Sequence, residues 1–291
     1  MSQQFVFTDP HIEESCLVEL DKVFQEILLY SKGKPILICV GDYYEKKNPT
    51  PKEIDFGTKW IMKFKQAFKH FVMVTGNHPE VEKNISTVSY MKYLGVEVVP
   101  EIVIEGTYYG HYMVKESLCG FNETKEGKDL TDKYELSILG HQHTYQVISI
   151  GTGRIVHLGS CRYVDFGEAK DRFKYIMLVE DCDFREVALQ SVRPMIDVYS
   201  VAGLDKLDGT TQVRVTYKSF SQFLAEANQL ETHKTKFFKF RVKMDFQNVP
   251  QQTTINTNNS NVEIVRKWLD KISNPEVKAE LEKEFQCILT P

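Results

Sequence analysis

Short, almost wholly apolar runs, each closed by a polar turn, constrain this chain more than any other feature. Gln4–Thr8 reads as a strand, and Pro35–Val40 and Phe71–Thr75 read as strands buried on both faces. Between them, Cys16–Tyr30 sets Leu17, Leu20, Val23, Phe24, Ile27 and Leu28 on one helical face. Phe56–His70 repeats Trp60, Ile61, Phe64, Ala67 and Phe68 at the same spacing. Thr87–Leu94 reads as helical and Val96–Val99 as a strand. Strand–helix alternation of this kind implies a parallel sheet with crossover connections.

The pattern then changes. Glu101–Gly106, Glu135–Leu139, Tyr145–Ile150, Ile155–Leu158, Tyr175–Val179 and Glu186–Val192 read as strands separated by turns, antiparallel in appearance. The expected fold class is α/β, with two packed mixed β-sheets flanked by helices. A smaller α/β unit follows, in which Val213–Tyr217 and Phe237–Phe246 flank a helix at Phe220–Thr232. The stretch 247–260 carries no charge and reads as a linker. Beyond it, Ser260 and Glu263 fit a capping box, and Val262, Val265, Trp268, Leu269 and Ile272 form one apolar stripe. Asn274-Pro275-Glu276 starts a second helix with Val277, Leu281 and Phe285 on its apolar side. The expected division is 1–200, 201–246, the linker 247–260, and a helical tail at 261–291.

The chain has 291 residues and a formal charge of −4, so contact with a polyanion requires a local basic patch rather than a uniform basic coat. Six scattered cysteines contain no CxxC pair, which argues against a zinc knuckle or disulfide framework and fits free thiols in a reducing cytoplasm. Neither a secretory leader nor an apolar run long enough to span a membrane is legible.

Four polar motifs each follow a predicted strand: Asp9-Pro10-His11, Gly41-Asp42, Gly76-Asn77-His78 and Gly140-His141-Gln142-His143. In open α/β sheets ligands bind at the carboxyl ends of the strands, which is where these motifs fall. Carboxylate, amide and imidazole donors suit two hard or borderline divalent cations, with one carboxylate shared. Asp9 and His11 fit the first ion, Asp42 the bridge, and Asn77, His141 and His143 the remaining positions. Oxygen and nitrogen donors without thiolate suit manganese, and zinc or iron less strictly.

The set resembles the calcineurin-like metallophosphoesterase signature of D-x-H, G-D-x-x-[DE], G-N-H-[DE], an isolated His, and G-H-x-H. That resemblance implies a four-layer metallophosphoesterase fold. It also implies a seventh ligand, His111, the sole histidine between His78 and His141. It gives His78 a catalytic role at the leaving group, and gives Glu45 the supporting role of orienting that histidine. Pro10 within D-x-H and Pro79 after G-N-H depart from the usual pattern.

A second segment, Leu158 to Ala169 (LGSCRYVDFGEA), is similar to the G-S-x-x-R-x-x-F-G-E stretch of SbcD-type DNA-repair nucleases. This implies a metal-dependent DNA phosphodiesterase, a homodimer, and a partner ATPase of the SbcC-like SMC/ABC class. The alternative is a phosphatase or cyclic-nucleotide phosphodiesterase acting on a small soluble substrate. Lys236, Lys239, Arg241 and Lys243 supply a local basic patch for DNA. The stripe Val262, Val265, Trp268, Leu269 and Ile272 fits helix-in-groove docking onto the ATPase.

Overall fold

A computed structural model describes residues 2–77, 80–82, 85–120, 123, 125–245, 270, 275, 278 and 279. The chain divides into two units, Met1–Met244 and Asp245–Pro291. His78 and the stripe Val262, Val265, Trp268, Leu269 and Ile272 lie outside the described residues. Within the second unit, Lys278 Nζ lies 2.9 Å from Asp270 Oδ1.

The first sheet begins with β1 (Gln4–Thr8), β2 (Ile36–Val40) and β3 (His70–Val74), all parallel, with β6 (Glu97–Val99) added parallel to β3. A short ribbon of β4 (Glu80–Glu82) and β5 (Ile85–Ser86) lies between β3 and β6 in sequence. On the opposite side of β1, β12 (Tyr175–Glu180) and β13 (Asp183–Ala188) complete the sheet in antiparallel register. The second sheet has the order β10-β11-β9-β8-β7, from β7 (Ile102–Ile104), β8 (Thr107–His111), β9 (Leu136–Gly140), β10 (Gln146–Ile150) and β11 (Gly153–His157). Its central pairs, β8–β9 and β9–β11, are parallel, whereas its two edge pairs are antiparallel.

Both sheets are therefore mixed, as the sequence leads one to expect. The division of labour differs from the expected one. The second half of the chain is not simply antiparallel, because β8, β9 and β11 run parallel and β12 and β13 return to the first sheet. The last of these strands also starts earlier than expected. Asp181 and Cys182, both in left-handed backbone, turn the chain at once from β12 into β13.

Side-chain alternation sorts the core into layers. Val6, Ile38, Val40, Val72 and Val74 face Tyr109, Ile138 and Val156 between the sheets. Phe5, Phe7, Leu37, Cys39 and Met73 point the other way, onto α1 (Leu17–Tyr30) and α2 (Pro51–Ala67). On the far side of the second sheet, Tyr108, Leu139 and Ile155 pack with Leu130 of the one-turn helix α3 (Gly127–Thr131). The start of α2 corrects the expected boundary at Phe56. Thr50 Oγ1 accepts the Glu53 N–H, Glu53 Oε2 accepts the Thr50 N–H, and Pro51 fills the first helical position.

The third element group is a parallel three-stranded sheet of β14 (Met195–Val198), β15 (Gln212–Tyr217) and β16 (Lys239–Met244), with α4 (Phe220–Lys234) crossing between the last two. It has its own small core of Val201, Leu204, Val213, Val215, Tyr217, Leu230 and Phe237. No helix among the described residues is long and apolar enough to cross a membrane.

Phe24 centres the helical layer. Its ring lies 5.4 Å from both Trp60 and Phe64, 5.9 Å from Phe7 and 6.4 Å from Tyr43. Phe24→Ala is expected to destabilise the protein by about 3–5 kcal/mol, the scale of a buried aromatic truncation. Denaturant unfolding measures this, and a loss well under 1 kcal/mol would show that the cluster is not a packed core.

Candidate metal centre

The carboxyl ends of β1, β2, β3, β8 and β9 deliver every sequence-predicted donor to one end of the sheet pair. Asp9 and His11 follow β1, Asp42 follows β2, Asn77 follows β3, His111 ends β8, and His141 and His143 follow β9. Strand β8, which carries His111, is absent from the expected strands. Glu105 and Gly106, both with positive φ, form a tight turn that reverses β7 directly into it.

The turns at these strand ends are strained. Asp9, His11, Asp42 and His141 have φ of 49°, 46°, 35° and 77°. Non-glycine residues rarely occupy this region, and such strain concentrates at functional sites. Glycines make the crowding possible. A Cβ on Gly41 would lie 1.8 Å from His111 Nδ1, and one on Gly140 would lie 2.3 Å from the Val40 carbonyl oxygen.

The donors form two groups that meet at Asp42. Asp9, His11 and His143 make the first, and Asp42, His111 and His141 the second. Asp42 Oδ2 faces both, at 3.9 Å from His11 Nε2 and 3.1 Å from His111 Nε2. Asn77 Oδ1 joins the second group at 3.0 Å from His111 Nε2. The structure thus places His143 beside Asp9 and His11, and His141 beside His111. Asp9 and Asp42 are fully buried, whereas His141, His143 and the exposed Asn77 open towards solvent.

The imidazoles are aimed by their far nitrogens. His11 Nδ1 lies 2.7 Å from Glu45 Oε2, His143 Nδ1 lies 3.4 Å from Glu168 Oε1, and His111 Nδ1 donates to the Val40 carbonyl at 3.1 Å. This is the arrangement that orients metal-binding histidines and fixes their tautomers. Carboxylates only accept, so a neutral His143 donates from Nδ1 and keeps its lone pair on Nε2, and Glu45 beside His11 Nδ1 favours the same tautomer there. Those two Nε2 atoms face one another at 2.9 Å. Two lone pairs so close need a proton or a cation between them, and the carboxylate of Asp9, 3.8 Å from His11 Nε2, favours a cation, which makes Asp9, His11 and His143 a candidate metal position.

Electrostatics agree. Burial works against a charge on His111, but Asp9 and Asp42 outweigh it and lift its pKa to about 9. Burial, together with the neighbouring His111, lowers that of His141. Burial alone would raise Glu168, yet its bond to His143 and the charge of Lys174 bring it down to about 2.

Several supporting residues were not named as site residues from the sequence. Glu168 reaches His143, and Lys174 Nζ donates to the His143 carbonyl at 2.9 Å. Arg162, nine-tenths or more buried, donates from Nε to Pro10 O at 3.0 Å and from Nη2 to His11 O at 2.8 Å. For Arg162 and Glu168 the signal was the G-S-x-x-R-x-x-F-G-E resemblance itself, read for identity rather than for role. Glu45, expected beside His78, lies against His11. Of the expected basic residues, Lys239, Arg241 and Lys243 share one face of β16. Lys236 sits instead in the turn after α4, with its N–H donated to His233 O.

Gly76 tests the geometry. A Cβ there would stand 2.0 Å from Asp42 Oδ1 and 2.3 Å from the Asp42 nitrogen. Gly76→Ala should therefore weaken divalent-cation binding by about 10- to 100-fold, the scale seen when support for metal ligands is disturbed. Calorimetric titration is the measurement, and wild-type affinity would show that Asp42 is not held by this contact.

No curated protein sequence matches the chain. Among solved structures, an archaeal phosphodiesterase aligns at 12% identity and a TM-score of 0.43, over 64% of this chain and 99% of its own. The nuclease MPE of Pseudomonas putida aligns at 15% identity and a TM-score of 0.36, over 63% and 87%. The hypothetical protein PH1004 of Pyrococcus horikoshii OT3 aligns at 12% and 0.44, over 65% and 88%. The family model for calcineurin-like phosphoesterases matches residues 5–177, more than half of the chain. With that match, the chain belongs to the calcineurin-like phosphoesterase family.

Proposed function

We propose that this phosphoesterase is a two-metal phosphodiesterase that cleaves DNA, of the SbcD type, with manganese as its metal. The family implies divalent cations, and the donor groups fit them. Asp9, His11 and His143 would hold one ion and Asn77, His111 and His141 the other, with Asp42 between them. Bound there, two divalent cations supply Lewis-acid charge for the phosphoryl oxygens and make water a better nucleophile at neutral pH. The protein's own part is to hold the donors in strained turns and to keep Asp9 and Asp42 dry, while His141 and His143 face the solvent side. His78 is assigned, on its motif alone, to protonating the departing oxygen.

One observation favours a polynucleotide over a small ester. Phe166 belongs to the turn whose Glu168 supports His143. Its ring has three cations around it: Arg214 at 5.2 Å, Arg241 at 5.6 Å and Lys239 at 5.7 Å. Arg214 is held by Asp197 through contacts of 2.7 and 2.6 Å. Among the described residues no carboxylate ion-pairs with Lys239, Arg241 or Lys243. In a chain of net charge −4, this leaves a cationic edge strand built against the turn that supports the metal centre. Phosphates of a long backbone fit such a stripe. A lone phosphate monoester would have no use for charge beyond the centre. The family resemblance, rather than any contact, carries the dimer and the SbcC-like ATPase partner docking on Val262, Val265, Trp268, Leu269 and Ile272.

Arg241 and Lys243 are exposed. The double substitution Arg241→Ser and Lys243→Ser should leave hydrolysis of a small bis-aryl phosphodiester unchanged. It should weaken DNA binding and lower the salt dependence of that binding by up to about 0.9 log units per lost phosphate contact. Unchanged DNA affinity and salt slope would favour the small-substrate phosphatase or cyclic-nucleotide phosphodiesterase instead.

A further inference from the structure

The segment from Ser160 to Lys174 contains a buried charge network that the phosphodiester chemistry leaves unused. Glu168 and Lys174 are both nearly inaccessible, at 2% exposure each, and lie 2.5 Å apart. Buried charges are costly and, by weight of energy alone, are often replaceable by apolar residues. A pair kept this deep needs a reason, and its contacts supply one.

Each polar atom of Glu168 is committed. Oε2 accepts the Ser160 hydroxyl at 2.8 Å and meets Lys174 Nζ. Oε1 accepts the backbone N–H groups of Val164 at 3.0 Å and Asp165 at 2.9 Å, and lies 3.4 Å from His143 Nδ1. Lys174 completes the frame by donating to Asp171 Oδ2 and to the His143 carbonyl, each at 2.9 Å. His143 is thus gripped at its ring and at its backbone by one ion pair. The same segment reaches the other donors of that group through Arg162, which holds the Pro10 and His11 carbonyls. The second donor group has no part in this network. His111 is braced by the Val40 carbonyl of β2 instead.

We propose that Glu168, locked by Lys174 and Ser160, is the positioning residue for His143. It fixes the Nδ1–H tautomer and aims Nε2 at the cation shared with Asp9 and His11, leaving the cation of Asp42, Asn77, His111 and His141 independent of it. The segment similar to SbcD-type nucleases is then the clamp of one metal position. This inference rests on the two-metal reading of the site.

The test is calorimetric titration of the full-length, metal-stripped protein with manganese alone, beside a thermal melt of the metal-free form. Wild type should take up two ions. Glu168→Gln keeps the shape of the side chain but removes its charge. It should bind one ion about 10- to 100-fold more weakly, the scale expected for an outer partner of a ligating histidine, while the other ion binds as in wild type. The spectroscopic signature is an isolated-manganese electron paramagnetic resonance signal at loadings where wild type shows a coupled pair. Ser160→Ala, which keeps the ion pair, should show a smaller loss at the same position, and it decides the matter if Glu168→Gln does not fold. Two ions bound at wild-type affinity in both variants would overturn the assignment, as would equal weakening of both positions with a lowered metal-free melting temperature. A wild-type protein that takes up no manganese would sink the two-metal reading, and this assignment with it.

Discussion

Two carboxylates, Asp9 and Asp42, sit fully buried where the carboxyl ends of two sheets converge, and the rest of the structure depends on what balances them. An ionised carboxylate away from water is stable only if countercharge and hydrogen bonds replace the lost solvation. Around these two, the countercharge comes from imidazoles and from the cations those imidazoles are shaped to share. This explains why Asp9 and Asp42 raise the pKa of His111 against the effect of its burial, and why the Nε2 atoms of His11 and His143 point at the same spot. The fold brings this about by using two sheets rather than one. β1, β2 and β3 supply one set of strand ends and β8 and β9 the other, and the parallel register His111↔Gly140 lines up the latter pair.

The precision of that convergence is maintained from behind. Glu45, the Val40 carbonyl and Glu168 each stand at the far nitrogen of one imidazole, so the rings of His11, His111 and His143 are braced by different parts of the chain. Arg162 does for the Asp9–His11 turn what glycine cannot, since it ties down carbonyls in a backbone already forced to positive φ. Phe166 extends the same scaffold outwards to Lys239 and Arg241. The donor cluster and the cationic strand thus share one structural support.

Much of this was legible in the sequence because each donor follows an apolar run. A buried strand that ends in Asp, Asn or His has nowhere to put that residue but the sheet edge, which is why Asp9, Asp42, Asn77 and His141 could be placed from spacing alone. Strand β8 escaped because its two-residue turn is Glu-Gly, so Glu101–Gly106 looked like one strand rather than the first arm of a hairpin. The start of α2 was written plainly in Thr50, Pro51 and Glu53 but was masked by the stronger apolar periodicity that begins at Phe56. The G-S-x-x-R-x-x-F-G-E resemblance marked Glu168, but its support of His143 was not legible from local pattern. It joins residues far apart in sequence through a buried pair, and nothing in local pattern distinguishes a buried glutamate from a solvated one.

The central claim is that Asp42 is shared by two cations. Elemental analysis and manganese titration of wild type and Asp42→Asn test it most directly. Wild type should retain two ions, and Asp42→Asn should lose tight binding at both positions, because its Oδ2 faces both His11 and His111. Two tightly held ions in Asp42→Asn would contradict the account.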